Sequence, residues 1–257
     1  MADNLLLDLR SVSKRFGAVQ ALTEVDFQVR VGEVMALVGD NGAGKSTLIK
    51  GIAGIYPFDG GQTYFGGQPT NIHSPRDSAA LGIEVVYQDL ALADNLDVVA
   101  NMFLGRERVL SFGRLDETSM EQACLDTLKS LSVTTIRSVR QAVAGLSGGQ
   151  RQAIAVAKAV MWNSRLVILD EPTAALGVAQ TRQVLDLVRR LAAKGLGVVI
   201  ISHNLHDIFE SSDRITVLRL GQKVAEFETA KTNQQEVVHA ITAGKMSRVP
   251  GMKEAEA

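Results

Sequence analysis

The sequence is poor in the residues that staple or rigidify small proteins: 257 residues hold one cysteine, one tryptophan and five prolines, with only 5% aromatics. A single cysteine excludes an internal disulfide and a cysteine-based metal cluster. Cys124 falls in a helical pattern with Met120, Leu128 and Leu131, the setting of a small buried hydrophobe rather than a reactive thiol. An excess of charge is missing too, since 27 Lys and Arg face 28 Asp and Glu for a net charge of -1. Without a strong positive field, no nucleic acid is expected as a partner. No apolar run approaches the roughly 18 to 20 residues that cross a bilayer; the longest, such as 197–202, have strand length. The opening MADNLLLDLR has no basic region leading into an apolar stretch, so no secretory signal is read and a cytosolic location is expected. What is present is ordinary globular material, 46% hydrophobic and 21% charged, enough for one or two domains.

Strand-like text at 5–12 and 24–30 alternates in polarity, as in a sheet with one wet face. A compact apolar run at 33–38 leads through a glycine-rich turn into a helical segment at 45–53. Strand signals return near 63–66 and 83–87, with a short helix after Pro75 between them. Between about 89 and 160 the strand signal fades and helical spacing with acidic caps takes over, which predicts an inserted helical subdomain. Strands at 166–169 and 198–201 then flank a helix at 178–194, and a hairpin-like pair at 214–218 and 222–227 follows. Apolar strands separated by helices argue for an α/β fold with a largely parallel sheet. Residues from Gly244 onward lack an apolar period and are read as a frayed tail.

Three segments carry chemistry. Gly39-Asp40-Asn41-Gly42-Ala43-Gly44-Lys45-Ser46-Thr47 satisfies G-x-x-x-x-G-K-[S/T] between an expected strand and an expected helix. The glycines let successive N–H groups turn inward beside a positive helix end, a cradle for phosphate oxygens. Lys45 can then reach the β- and γ-phosphates of a nucleoside triphosphate, Ser46 can ligate Mg²⁺, and Thr47 can add a phosphate hydrogen bond. Average composition gives roughly 0.01 chance matches in a chain of this length. Next, Leu166-Val167-Ile168-Leu169 ends in Asp170-Glu171, two carboxyl groups at the C-terminal edge of the sheet where α/β proteins gather ligands. Asp170 suits the Mg²⁺ shell and Glu171 a general base for water, against the plainer reading that both cap the turn before Pro172. The third segment is Leu146-Ser147-Gly148-Gly149-Gln150, a serine and two glycines at a helix start and so a second anion-binding surface. Two phosphate-facing helix ends in one chain are economically explained if the second faces a nucleotide held by another subunit.

This text resembles the signature of ATP-binding cassette proteins, and the resemblance covers about 5–244. It implies an α/β P-loop NTPase with a RecA-like core, an N-terminal antiparallel β subdomain and the helical subdomain at about 89–160. One nucleotide-binding domain would then span 1–244, with a flexible tail at 245–257. It implies ATP and Mg²⁺ as ligands, and two subunits sandwiching two ATP molecules with Ser147, Gly148, Gly149 and Gln150 closing over the partner's nucleotide. By the same resemblance, Phe16 takes the place of the aromatic that stacks on adenine. Gln88 matches the loop glutamine that senses metal and water, and His203 the switch histidine at the γ-phosphate. The other histidines receive no role. Two positions depart from the pattern: Gly177 stands where Asp usually follows Pro172-Thr173-Ala174-Ala175-Leu176, and Asn204 where Asp commonly follows the histidine.

The stretch from Val86 through Asn95-Leu96-Asp97 to Asn101-Met102-Phe103-Leu104-Gly105 is similar to that of bacterial importers of simple sugars. That implies multi-span membrane permease subunits and an extracytoplasmic sugar-binding protein as partners. The chain would then be peripheral on the cytoplasmic side of the inner membrane and, with one cassette per chain, would work as a homodimer. The plain alternative is that Leu90, Leu96, Met102, Phe103 and Leu104 simply fill a helical core. A soluble cassette ATPase working on ribosomes or DNA would bring two cassettes, a coiled coil or basic arms. A module holding ATP as a structural ligand would not need the full set of Lys45, Ser46, Gln88, Asp170, Glu171 and His203.

Overall fold

Two long strands, β1 (Leu5–Phe16) and β2 (Val19–Arg30), pair antiparallel and bury one face. They run further than their hydrophobic alternation, because bulges interrupt the register between Leu9 and Val12 and between Val12 and Lys14. The computed structural model describes residues 4–243. After β3 (Val34–Val38) and α1 (Lys45–Ile52), the chain returns to the first sheet through β4 (Gly60–Phe65) and β5 (Gln68–Thr70), giving the order β2-β1-β4-β5. Helix α2 (Pro75–Ala80) starts at a Ser74–Asp77 capping box and leads to β6 (Ile83–Val86). The chain then enters the region where helices were expected and forms α3 (Val98–Phe103), α4 (Glu117–Ser130) and α5 (Gly148–Val160).

Strand and helix alternate again through β7 (Leu166–Asp170), α6 (Val178–Ala193), β8 (Gly197–Ile201) and α7 (Leu205–Ser211). The described chain ends with β9 (Arg214–Arg219), β10 (Gln222–Glu228) and α8 (Gln234–Ala243). The second sheet has the order β10-β9-β3-β8-β7-β6, parallel except for the edge strand β10. The fold is thus the expected α/β type, a parallel core sheet with an antiparallel sheet packed on it.

Every residue of β3 and β8 is buried, and the two-residue period of a strand divides them between two cores. Met35, Leu37, Val199 and Ile201 join Leu9, Phe27 and Val29 of the antiparallel sheet. Ala36, Val38, Val198 and Ile200 join Ile154 and Val156 of α5, Leu187 of α6, and Met102, Phe103 and Cys124. Leu90 and Leu92 pack against this second core beside the buried Met102 and Phe103, so these residues do fill a core, whereas Leu104 is exposed. Cys124 is fully buried with Sγ 3.2 Å from Met102 Sδ, and burial pushes its thiol up to about 12, as its helical setting predicted. Among the described residues, no helix is long and apolar enough to cross a membrane. The tail read at 245–257 lies outside the described residues.

Candidate functional site

A parallel sheet aims the C-terminal ends of its strands at one edge. Here β3, β6, β7 and β8 end beside an open cleft of about 500 Å³, lined by residues 41–47, Gln88, Asp170, Glu171 and His203 among others. Four separated stretches of sequence thus meet in one place. Gly39 and Asp40 form the base of the first loop. Gly39 adopts φ +151°, and a Cβ there would lie 2.2 Å from the Leu218 carbonyl oxygen, so no larger residue fits. Gly44 has φ +103° and caps α1 without any side-chain hydrogen bond, which leaves the first-turn N–H groups free of a competing side chain.

Lys45 is buried, and its ammonium donates to the carbonyl oxygens of Gly39 at 2.6 Å and Asp40 at 3.0 Å. Burial pushes its pKa below the ordinary lysine value, opposed by Glu171, Asp40 and Asp170. Burial also raises the Asp170 carboxyl above the usual range, with Lys45, His203 and Lys50 pulling the other way. Glu171 is raised by burial first and by Asp170, while His203 and Lys45 oppose the shift. The Glu171 backbone occupies the left-handed region at φ +52°, and its N–H donates to the Ile201 carbonyl at 2.9 Å. Its Oε1 lies 2.9 Å from His203 Nε2, a direct contact between the two groups. Gln88 and Ser46 are exposed and open to the cleft. Of the residues lining the cleft, Ser46, Asp170 and Gln88 offer a metal one hydroxyl, one carboxyl and one amide oxygen. These hard oxygen donors suit Mg²⁺ when water and phosphate complete the shell; no cluster of three or more His, Cys, Asp or Glu is present among the described residues.

Two of the expected regions lie outside this cleft. Phe16, at the end of β1, packs edge-on against Tyr56 at 5.0 Å between centroids, with the Lys14 ammonium 5.5 Å from its ring. Tyr56 in turn donates to the Thr47 carbonyl at 3.1 Å, so it ties Phe16 to the phosphate loop. Ser147, Gly148, Gly149 and Gln150 open α5 away from the cleft. Ser147 is the N-cap: its Oγ accepts from the Gln150 N–H at 3.4 Å, and Gln150 Oε1 accepts from the Ser147 N–H at 2.9 Å. The second anion surface is therefore partly closed on itself. Gly149 is crowded by Gln180, which also accepts from the Gly177 N–H at 3.3 Å. Sequence reasoning missed Tyr56, Thr173 and Asp207, which support the site without touching the cleft; a tyrosine or a helix-start aspartate has no spacing signal of its own.

The chain matches the family described as ABC transporter over residues 22–174. It is 43% identical over 251 residues to the fructose import ATP-binding protein of Rhizobium meliloti, covering 95% of this chain and 96% of that protein. It is 45% identical over 244 residues to a xylose/arabinose import ATP-binding protein of Sulfolobus acidocaldarius, again covering 95% and 96%. Among solved structures it is similar to the ADP conformation of an ATP-binding cassette of an ABC transporter, at 27% identity, TM-score 0.78 and coverage of 92% and 94%. A dimeric cassette in a post-hydrolysis state with ADP and Pi is 25% identical with TM-score 0.72, covering 87% of this chain and 99% of that one.

Proposed function

Because the chain belongs to the ATP-binding cassette transporter family and is an ATPase of that kind, we propose that it is the ATP-hydrolysing subunit of an importer for a simple sugar. The convergence of Lys45, Gln88, Asp170, Glu171 and His203 on one cleft carries the catalytic part of this reading. The fructose, xylose/arabinose and ribose importers among its relatives support a monosaccharide as cargo.

ATP enters with its phosphates over residues 39–47 and its adenine toward Phe16. Lys45 then exchanges the Gly39 and Asp40 carbonyls for phosphate oxygens, trading neutral acceptors for charged ones in a buried setting. Ser46, Asp170 and Gln88 would hold Mg²⁺, which when bound neutralises phosphate charge. Glu171 takes a proton from the attacking water as the water oxygen bonds the γ-phosphorus and the bond to the ADP oxygen breaks. His203 orients Glu171 and reaches the γ-phosphate. Ser147, Gly148, Gly149 and Gln150 complete the site of a partner copy, so two subunits pair head to tail around two ATP molecules. The helical region at about 89–160 meets a separate multi-span permease, which an extracytoplasmic binding protein supplies with sugar. The chain works on the cytoplasmic face of the inner membrane as a peripheral subunit.

The test is uptake of a panel of monosaccharides by cells lacking the gene, alongside co-purification of the tagged chain. Loss of uptake of one sugar and capture of a multi-span permease are expected. Unchanged uptake of every sugar together with capture of no membrane protein would contradict an importer role.

A further inference from the structure

Asp207 belongs to none of the motifs, yet it is one of the most deeply buried acids in the protein, at 2% exposure. It lies in the first turn of α7, where an aspartate ordinarily accepts from its own helix start. Here its two oxygens accept from side chains on either side of it, one at the cap of its own helix and one in a different loop. Thr173 Oγ1 donates to Oδ2 at 2.6 Å across 34 positions of sequence, and Asn204 Nδ2 donates to Oδ1 at 2.9 Å. Thr173 stands two residues after Glu171, and Asn204 directly follows His203.

We propose that Asp207 is a positioning residue for hydrolysis, a clamp that joins the loop of Glu171 to the loop of His203 and fixes the 2.9 Å contact between them. This rests on the reading of Glu171 as the base. The clamp has work to do because the loop it holds is strained: Glu171 and Ala175 both lie in the left-handed region, at φ +52° and +58°. Non-glycine residues keep such backbone only where their surroundings over-determine it. The Glu171 N–H is held by the Ile201 carbonyl on one side, and Asp207 supplies the hold on the other. The same loop continues to Leu176, close enough to Gly148 that a Cβ there would meet Leu176 Cδ2 at 2.9 Å. The loop of Glu171 thus also packs against the start of α5. Asn204, a departure from the family pattern, is here a donor that an aspartate could not replace.

The test is steady-state ATP turnover of the full chain. Asp207→Ala should lower kcat about 10- to 100-fold, the cost of misplacing a reacting group by about 1 Å, with KM for ATP within about twofold of the parent because residues 39–47 are untouched. Asp207→Asn keeps the shape and can still pair with both partners, its oxygen to Asn204 and its amide to the Thr173 hydroxyl; it should recover to within about threefold of the parent. Thr173→Val removes one bond only and gives a second reading should Asp207→Ala not fold. A kcat within about twofold of the parent in both Asp207→Ala and Thr173→Val, or no recovery in Asp207→Asn, overturns the proposal. Glu171→Gln in the same assay separates the two ideas. If it stays active, the base assignment fails; if it is inactive while the Asp207 and Thr173 variants are active, only the clamp fails.

Discussion

Two helix starts in this chain are rich in small residues, and they are prepared for a ligand in opposite ways. Helix α1 begins at Gly44, left-handed and without a side-chain cap, beside a buried lysine that has only carbonyl oxygens for partners. Helix α5 begins at Ser147 with its capping box closed, its serine oxygen on the Gln150 N–H. The first has no side chain capping the N–H groups of its opening turn. The second has to exchange an internal hydrogen bond for an external one, and that bond is long, 3.4 Å. The proposed sharing of sites between subunits would require the Ser147 helix start to open when a charged group is brought to it.

The sharpest break of this comparison lies between binding and chemistry. Glu171→Gln should retain ATP while slowing hydrolysis at least about 100-fold, leaving an ATP-stabilised dimer visible by size-exclusion chromatography. Unchanged turnover would remove Glu171 as base. Its pH dependence carries the same information. Burial raises the Glu171 carboxyl, so a base at this position would be lost to protonation at a higher pH than an ordinary carboxylate, and kcat should fall as pH drops toward that raised value. A pH–rate profile flat down to the usual carboxylate range would contradict the shift.

Smaller in effect is Lys45→Ala, which removes the charge partner of the phosphates. It should weaken ATP binding by about 10- to 100-fold, the worth of one charge-assisted hydrogen bond, in a nucleotide titration. Smallest is Ser147→Ala at the other helix start. Without nucleotide it should cost about 1 kcal/mol of stability, read as a melting temperature about 2 to 4 °C lower. No change would mean that the capping box contributes nothing to the free chain.

The same contrast explains what could be read in the sequence. The expected phosphate loop is contiguous, with all its residues within nine positions, so spacing alone marked it as a candidate. The strands that carry Asp170 and His203 were legible because Leu166–Asp170 and Gly197–Ile201 are almost wholly buried and hence continuously apolar. Strands β1 and β2 were read short, since bulges, with Ser11 and Glu24 at positive φ, break the alternation that marks a strand. β5 escaped notice because Gln68–Thr70 offers three residues and no buried position. Asp207 and Tyr56 were invisible for another reason: they have partners far off in sequence, 34 residues away for Thr173 and 40 for Phe16. Gly177 was legible as a departure, and the fold shows its local consequence, an N-cap without a side-chain bond that is braced by Gln180.

The central claim, that each working site is built from the phosphate loop of one copy and the Ser147 segment of another, is tested most directly by mixing two defective subunits. Ser147→Arg blocks the shared segment and Lys45→Ala disables the loop, so neither variant alone should turn over ATP. Their mixture contains dimers with one intact composite site. Random pairing makes about half the dimers mixed, each with half of its sites intact, so about a quarter of the parental ATPase activity is predicted. A mixture no more active than the two variants measured separately, under conditions where dimers form, would contradict the shared site.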